Sequence, residues 1–370
     1  MENRTRVFAA TGFTVAMFLL VQLGALALVE PFQQAGYQQV ENPSDPTNSL
    51  VYVAAVLVLT GVMLAIIKLD VQWLLRGAII FTSGLLSWYV FSVVIPAWLV
   101  VQWGGAPVNV VALAAAATVS LALAVHPDWY VIDAAGVLMG AGAAGLFGIS
   151  FGLLPAIVLL TVLAVYDAIS VYGTEHMLTL ASGVMDLKIP VILVIPMTLS
   201  YSFLDDDGGA GEETDADEET EADETESDAD ANAADGGEAP ETTGDTPKTD
   251  TADAPAADGD GDGDHAEAER PDVSDRDVFF IGLGDAVMPT VMVASAASFA
   301  PADPLVSGFA MNLPALTSMV GTIAGLLVLL WMVMKGRAHA GLPLLNGGAI
   351  GGYLVGALAS GISLMQAIGL

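Results

Sequence analysis

The segment FFIGLGDAVMPT, residues 279–290, starts as a buried apolar helix would but has an aspartate at position 285. If this segment crosses a membrane, the carboxyl is costly there, because an ionisable side chain at membrane depth costs roughly 2.5–3.5 kcal/mol on insertion scales. Asp285 is therefore a candidate functional residue. Its role depends on how the rest of the chain is organised.

Several apolar runs near 20 residues long recur along the 370-residue chain, which is 54% hydrophobic. A run of that length crosses a hydrocarbon layer roughly 30 Å thick. The sequence therefore predicts an all-α integral membrane protein with nine transmembrane helices. The predicted spans are residues 7–29, 50–68, 74–101, 107–125, 131–148, 152–172, 278–300, 307–334 and 342–367.

The ten basic residues give this arrangement an orientation, because cytoplasmic loops retain Lys and Arg. All ten lie before span 1 or beside the links between spans 2 and 3, 6 and 7, and 8 and 9. The loops on the opposite side contain none. The pattern predicts a cytoplasmic N-terminus and an outer C-terminus. The basic residues are Arg4, Arg6, Lys68, Arg76, Lys188, Lys248, Arg270, Arg276, Lys335 and Arg337.

The net charge of −32 is concentrated in one segment, because residues 205–277 carry 30 of the 42 acidic residues. This segment lacks aromatic residues and apolar periodicity, which predicts a disordered, solvated cytoplasmic loop. An acidic excess with only four lysines is also typical of proteins that work in molar salt, which favours a halophilic source. The absence of cysteine excludes disulfides and thiol catalysis.

These patterns divide the chain into four parts. Residues 1–148 form an N-terminal scaffold of spans 1–5, and residues 149–204 contain span 6 with a membrane-proximal segment. Residues 205–277 are the acidic loop. Residues 278–370 hold spans 7–9.

A second carboxyl, Asp167 in LAVYDAIS, lies within span 6. Span 6 runs inward and span 7 runs outward, with Asp167 about five residues before the inner end of one and Asp285 about seven after the start of the other. At 1.5 Å per residue, both lie roughly 7–11 Å below the cytoplasmic boundary. The two carboxyls are therefore predicted to face each other across consecutive antiparallel helices.

Two facing carboxyls in a low dielectric cannot both ionise, so one keeps a proton and the pair titrates as a unit. Such a pair can activate water and protonate a leaving nitrogen, as aspartic proteases do. Gly282 and Gly284 remove bulk beside Asp285, which allows span 6 or a substrate to come close. The structural alternative is that Asp167 and Asp285 only make packing hydrogen bonds or snorkel.

A different functional class also uses paired acids within the membrane. Ion- or proton-coupled transporters relay protons through such acids and bind substrate at broken helices. A transporter of that kind is expected to show related halves with matching breaks. Spans 1–5 contain no acid at the depth of Asp167 or Asp285, and no repeat is evident.

The two motifs resemble those of a known family. YD at Tyr166 and Asp167, then GLGD at Gly282, Leu283, Gly284 and Asp285, separated by a long hydrophilic loop, resemble the presenilin and signal peptide peptidase family of GxGD intramembrane aspartyl proteases, here an archaeal homologue. The resemblance implies nine spans, Asp167 and Asp285 as the catalytic pair, and an endopeptidase that needs no cofactor or metal.

The family's third motif, Pro-Ala-Leu, begins the ninth span, and two stretches compete for it. NLPALT, residues 312–317, has the literal motif but lies at the outer start of span 8. GLPLLNGGAIGG, residues 341–352, opens span 9 from the cytoplasmic side, so position assigns Pro343, Leu344 and Leu345. Pro343 is expected to hold an extended turn at the depth of both aspartates, although a proline also commonly marks a helix start.

The resemblance also bears on substrates. It implies that residues 173–196 help to position substrate, and that substrates are single-span membrane proteins with outward N-termini. An extended edge around residues 277–280 is predicted to accept substrate by strand addition. The protein is predicted to be a multi-pass protein of the cell membrane with no nucleic-acid partner, and its oligomeric state stays open.

Overall fold

The computed structural model describes residues 2–69, 71–103, 106–173, 192–196, 278–306, 308–334 and 340–370. The predicted disordered loop, residues 205–277, lies outside these residues. The helices are α1 (Glu2–Gln34), α2 (Thr47–Lys68), α3 (Gln72–Val94), α4 (Val110–Val125), α5 (Trp129–Ser150), α6 (Leu153–Gly173), α7 (Leu283–Phe299), α8 (Leu313–Val333), α9 (Gly341–Ala359) and α10 (Leu364–Ala367). The strands are β1 (Val100–Trp103), β2 (Ala106–Asn109), β3 (Ile192–Pro196), β4 (Val278–Gly282), β5 (Pro304–Val306) and β6 (Phe309–Asn312).

Seven helices in the described part of the chain are long and apolar enough to cross a membrane, and α4 and α7 are shorter apolar helices. The protein is therefore a mostly helical, multi-pass membrane protein. The expected all-α fold is wrong in detail, because the described residues also form three two-stranded antiparallel sheets: β1 with β2, β3 with β4, and β5 with β6.

The start of predicted span 7 is one place where strand replaces helix. Residues 278–282 are β4, whose residues Val278 to Gly282 pair in antiparallel register with Pro196 to Ile192 of β3. The helix α7 begins only after Gly282, so Asp285 lies one turn inside the helix rather than two. This boundary is set by backbone pairing with a strand that lies far away in the sequence. The apolar periodicity of residues 278–300 gives no sign of that pairing.

Other predicted spans are too long for local reasons. Helix α3 ends at Val94 because Ile95 precedes Pro96 and is extended. Helix α8 begins after Asn312, whose side chain accepts a hydrogen bond from the Ala315 N–H. Helix α9 ends at Ala359, and Gly361 follows with a φ of 78°.

Helix α7 is the centre of the bundle and packs against α1, α5, α6, α8 and α9. Its residues are mostly buried, whereas almost none of α2 is buried. Helices α8 and α9 make the most extensive helix pair, and their backbones meet at Gly321 and Gly348, where neither residue has a side chain. Because α9 packs on α8, its first turn lies next to α6 and α7.

Candidate active site

Asp167 lies six residues before the end of α6 and is 6% exposed. Its Oδ2 accepts a hydrogen bond from the backbone N–H of Leu342 at 3.1 Å. Leu342 belongs to the first turn of α9, where backbone N–H groups have no partner within the helix. The N-cap residue, Ala340, makes no side-chain cap bond, so a carboxyl from α6 caps the start of α9.

Asp285 lies in the first turn of α7, three residues after the N-cap Gly282. An acidic side chain is favoured there by the partial positive charge of the helix N-terminus. Its Oδ2 lies 3.6 Å from the position that a Cβ on Gly341 would occupy. The Asp167 and Asp285 carboxyls therefore both reach the start of α9, one at the Leu342 N–H and the other at Gly341.

Both carboxyls line one cavity of about 290 Å³. This volume exceeds the roughly 30 Å³ that a water molecule occupies in the liquid, so it can hold several waters or part of a substrate. Its walls are largely apolar side chains from the N-terminal half of α1 and the C-terminal half of α8, which limits solvation of the carboxyls. These wall residues include Val7, Ala10, Phe18, Leu326, Leu329, Leu330 and Val333.

The GLGD glycines do not bring helices together. A Cβ on Gly284 would meet nothing within 4 Å, and a Cβ on Gly282 would meet only the Asp285 carboxyl. Of the two partners expected to come close at these glycines, span 6 or a substrate, span 6 does not do so among the described residues. Leu283 is instead the packing residue of the motif, because its Cδ1 would lie 3.2 Å from a Cβ on Gly140 of α5.

Of the two competing stretches for the third motif, one forms the start of α9 and the other, at the start of α8, packs against the opposite end of α9. Leu345 lines the cavity, and Pro343 and Leu344 lie in the first turn of α9 just before it. Pro314 of NLPALT instead packs at the far end, with its Cα 2.8 Å from the position of a Cβ on Gly356. Of the three residues assigned by position, Leu345 therefore shares a cavity with both carboxyls, whereas Pro314 of the literal motif does not line that cavity.

The extended turn expected at Pro343 is wrong, because Pro343 lies inside the first helical turn of α9. A proline is compatible with that position, since its missing N–H falls among those that have no helical partner. The commoner interpretation, in which the proline marks a helix start, is the one that the structure supports.

The remaining predicted residues are only partly brought to the site. Tyr166 is 43% exposed, and the residues that line the cavity do not include it. The expected extended edge at 277–280 is confirmed where it is described, as β4. Of residues 173–196, which are expected to help position substrate, residues 174–191 lie outside the described residues and Ile192–Pro196 form β3.

Helices α6 and α9 also share a buried polar contact that was not predicted from the sequence. The Nδ2 of Asn346 donates to the Leu160 carbonyl oxygen at 3.0 Å, and Asn346 is completely buried. Leu160 precedes Asp167 by about two turns of α6, and Asn346 follows Leu342 by about one turn of α9. The amide therefore joins the two helices next to the Asp167–Leu342 bond. A lone amide in an apolar run was the signal that could have found it.

Comparisons with known proteins agree with this geometry. The profile of the family described as "Signal-peptide peptidase, presenilin aspartyl protease" matches residues 15–362. One similar solved structure, of a presenilin family intramembrane aspartate protease in a C222 space group, is 28% identical with a TM-score of 0.56, covering 94% of this chain and 99% of the other. Another, in a P2 space group, is 29% identical with a TM-score of 0.54, covering 93% and 96%. The comparison with curated proteins finds no match.

Proposed function

The chain belongs to the signal-peptide peptidase and presenilin family of aspartyl proteases, and we propose that Asp167 and Asp285 are its catalytic pair. As a member of this family it is an intramembrane aspartyl protease, which hydrolyses peptide bonds of transmembrane substrates. The strongest support for assigning this pair comes from one observation. Two carboxyls from separate helices line a single cavity and both reach the start of α9.

In the proposed mechanism the pair holds one proton and a water molecule lies between the carboxyls. The ionised carboxylate removes a proton from the water as its oxygen attacks the substrate carbonyl carbon. The protonated carboxyl donates a hydrogen bond to the developing oxyanion and then passes its proton to the leaving nitrogen. The C–N bond breaks, an acid and an amine leave, and the pair again holds one proton.

The other motif residues are proposed to position the substrate. Gly282 and Gly284 leave the backbone before Asp285 uncovered, which lets an extended substrate approach that carboxyl. Leu283 fixes this segment against α5, and Pro343, Leu344 and Leu345 lie close to the start of α9. We assign Tyr166 a supporting role on α6 next to Asp167. Strand addition at β4 would supply the backbone hydrogen bonds that a substrate helix loses when it unwinds.

The proposed topology has nine spans, with α4 and α7 crossing in addition to the seven longer helices. The one-sided placement of the basic residues supports a cytoplasmic N-terminus, an outer C-terminus and a cytoplasmic acidic loop at 205–277. The four-part division at 148, 204 and 277 follows from this layout. The proposed site of action is the cell membrane, on single-span substrates with outward N-termini, and the acidic composition supports a halophilic, archaeal source.

The test is cleavage of a fluorescently tagged single-span substrate, with an outward N-terminus, by purified protein in high-salt lipid vesicles. The variants Asp285→Asn and Asp167→Asn should each lower the rate by at least about a hundredfold, the lower end of what acid–base groups contribute. Asn at 167 keeps an oxygen for the Leu342 N–H, so the start of α9 stays capped. Asp303→Asn, which changes an exposed loop carboxyl outside the cavity, is the matched control and should cleave normally.

Equal cleavage by the wild type and Asp285→Asn would refute the assignment of the pair. Nothing in the described part of the chain or in the comparisons favours the ion-coupled transporter. A proton flux across the same vesicles that depends on Asp167 and occurs without any cleavage would bring that alternative back.

A further inference from the structure

We propose that Asp133 of α5 is a positioning residue that fixes the β3–β4 sheet and thereby sets which substrate bond reaches the catalytic pair. This inference rests on the proposed function, because it takes Asp285 as catalytic. Asp133 lies in the second turn of α5 and is 4% exposed. The mechanism above gives it no chemical role, although it is a buried ionisable group.

The contact that carries the proposal joins Asp133 to β3. Asp133 Oδ1 accepts the backbone N–H of Val194 at 2.8 Å. Val194 stands opposite Phe280 in the antiparallel register. Because the Val194 N–H points to α5, Val194 and Phe280 form a non-hydrogen-bonded pair of the antiparallel ladder. Asp133 therefore holds the edge of β3 that faces away from β4.

The sheet connects this contact to the active site without a flexible link. Strand β4 pairs with β3 along its whole length and ends at Gly282, the N-cap of α7. Asp285 follows three residues later. Strand β3 is also fixed by packing, since Leu193 Cδ2 would lie 3.1 Å from a Cβ on Gly136 of α5. The position of β4 relative to the catalytic carboxyl thus depends on how α5 holds β3.

The environment of Asp133 indicates positioning rather than stability. Its second oxygen, Oδ2, is buried and has no hydrogen-bond partner among the described residues. A buried carboxyl with a single hydrogen bond is a poor source of stability, because desolvation offsets most of the gain. What the carboxyl supplies is one directed bond, which fixes Val194 at a single point along α5.

The consequence concerns the accuracy of cleavage. A substrate strand that adds to β4 takes its register from β4, and each residue of a strand advances by about 3.3 Å. If β3 is no longer held by Asp133, β4 can tilt about its fixed end at Gly282, so an added substrate strand is no longer held at one position relative to Asp285. Cleavage then spreads to neighbouring peptide bonds, and turnover falls because productive alignment is rarer.

The experiment compares three variants by product mass, KM and kcat in high-salt vesicles with the tagged substrate. Asp133→Leu has a similar size and accepts no hydrogen bond, so we expect at least one additional cleavage site and a kcat about tenfold lower with KM within twofold. Asp133→Asn keeps the acceptor oxygen and should restore the wild-type products. Ser295→Ala removes a buried bond to the Phe151 carbonyl, far from β3, and should leave the product pattern unchanged even if stability falls.

A second measurement does not depend on catalysis. Hydrogen exchange of the peptide that contains residues 192–196 should be several-fold faster in Asp133→Leu than in Asp133→Asn. A wild-type product pattern together with unchanged exchange in Asp133→Leu would overturn the proposal. Asp133→Ala is the second apolar variant, and failure of both to fold would also overturn it, since the role would then be structural. If Asp285→Asn still cleaves, the proposed catalytic pair is refuted. The hydrogen-exchange result still tests whether Asp133 holds β3, because it does not depend on catalysis.

Discussion

Replacing Gly348 with alanine should separate α8 from α9 and weaken the active site without touching it. A Cβ at this position would lie 2.9 Å from the carbonyl carbon of Gly321 and closer still to its oxygen. The obstacle is backbone, which cannot rotate away as a side chain can. The neighbouring Gly347 provides a matched control, because a Cβ there would meet nothing within 4 Å.

The magnitude follows from that contact. Ordinary contact begins near 3.4 Å and the carbonyl oxygen is the nearer atom, so the helices must separate by about 1 Å, and overpacking of this kind costs about 1–3 kcal/mol. Both alanine variants gain the same helix propensity, at most about 1 kcal/mol, so their difference isolates the overpacking. Gly348 lies six residues from Leu342, whose N–H binds Asp167 at 3.1 Å. A shift of that size at Leu342 should lower turnover roughly a hundredfold, since a 1 Å misplacement can cost about that much.

The assay is thermal or denaturant unfolding in lipid vesicles together with the rate of substrate cleavage. Gly347→Ala should be at least as stable as the wild type and cleave at the wild-type rate, whereas Gly348→Ala should unfold at a lower temperature than Gly347→Ala and cleave more slowly. If the two alanine variants are equally stable and equally active, the close approach at Gly321 does not control the site.

Three further outcomes are expected. Asn346→Leu removes the bond from α9 to α6 and should lower kcat several-fold with KM unchanged, measured with the same substrate. Tyr353→Phe removes the hydrogen bond to the Ala367 carbonyl at 2.6 Å and should lower the unfolding free energy by about 1 kcal/mol with normal cleavage, because this bond lies at the other end of α9. The Thr47 N–H lowers the pKa of the Asp45 carboxyl, so the stabilising contribution of this carboxyl is present above the unfolded pKa near 3.8 and is lost as pH falls through the lower folded value. The wild type should therefore lose stability relative to Asp45→Asn below about pH 4, measured as the melting-temperature difference across pH.

The residues that could be predicted from sequence are those whose role depends on depth and order along the chain. Asp167 and Asp285 lie in consecutive apolar runs of opposite direction, so hydropathy and loop charge alone place them at one level. Pro343 could be preferred to Pro314 in the same way, because the two prolines begin predicted spans from opposite sides of the membrane. The structure brings both carboxyls and the start of α9 to one cavity, as that reasoning requires.

What could not be predicted depends on pairing between segments far apart in sequence. Residues 278–282 have the composition of a membrane helix, and only their pairing with β3 makes them a strand. The glycines of GLGD were expected to allow a close helix contact, yet the backbones of α8 and α9 meet at Gly321 and Gly348 instead. The positions of the glycines in the sequence do not show which of them lie at a helix contact. Hydropathy also cannot show that the Asp167 carboxyl caps a helix 175 residues away.

The contrast between the buried α7 and the exposed α2 has a practical consequence for spectroscopy. Because the chain contains no cysteine, any thiol that is introduced becomes the single attachment point for a reporter group. A spin label at Leu59, which is 67% exposed on α2, would report on the surrounding lipid. A label at the exposed Gly347 would report on α9 itself. Comparing the two with and without substrate would separate motion of the catalytic bundle from reorganisation of the bilayer around it.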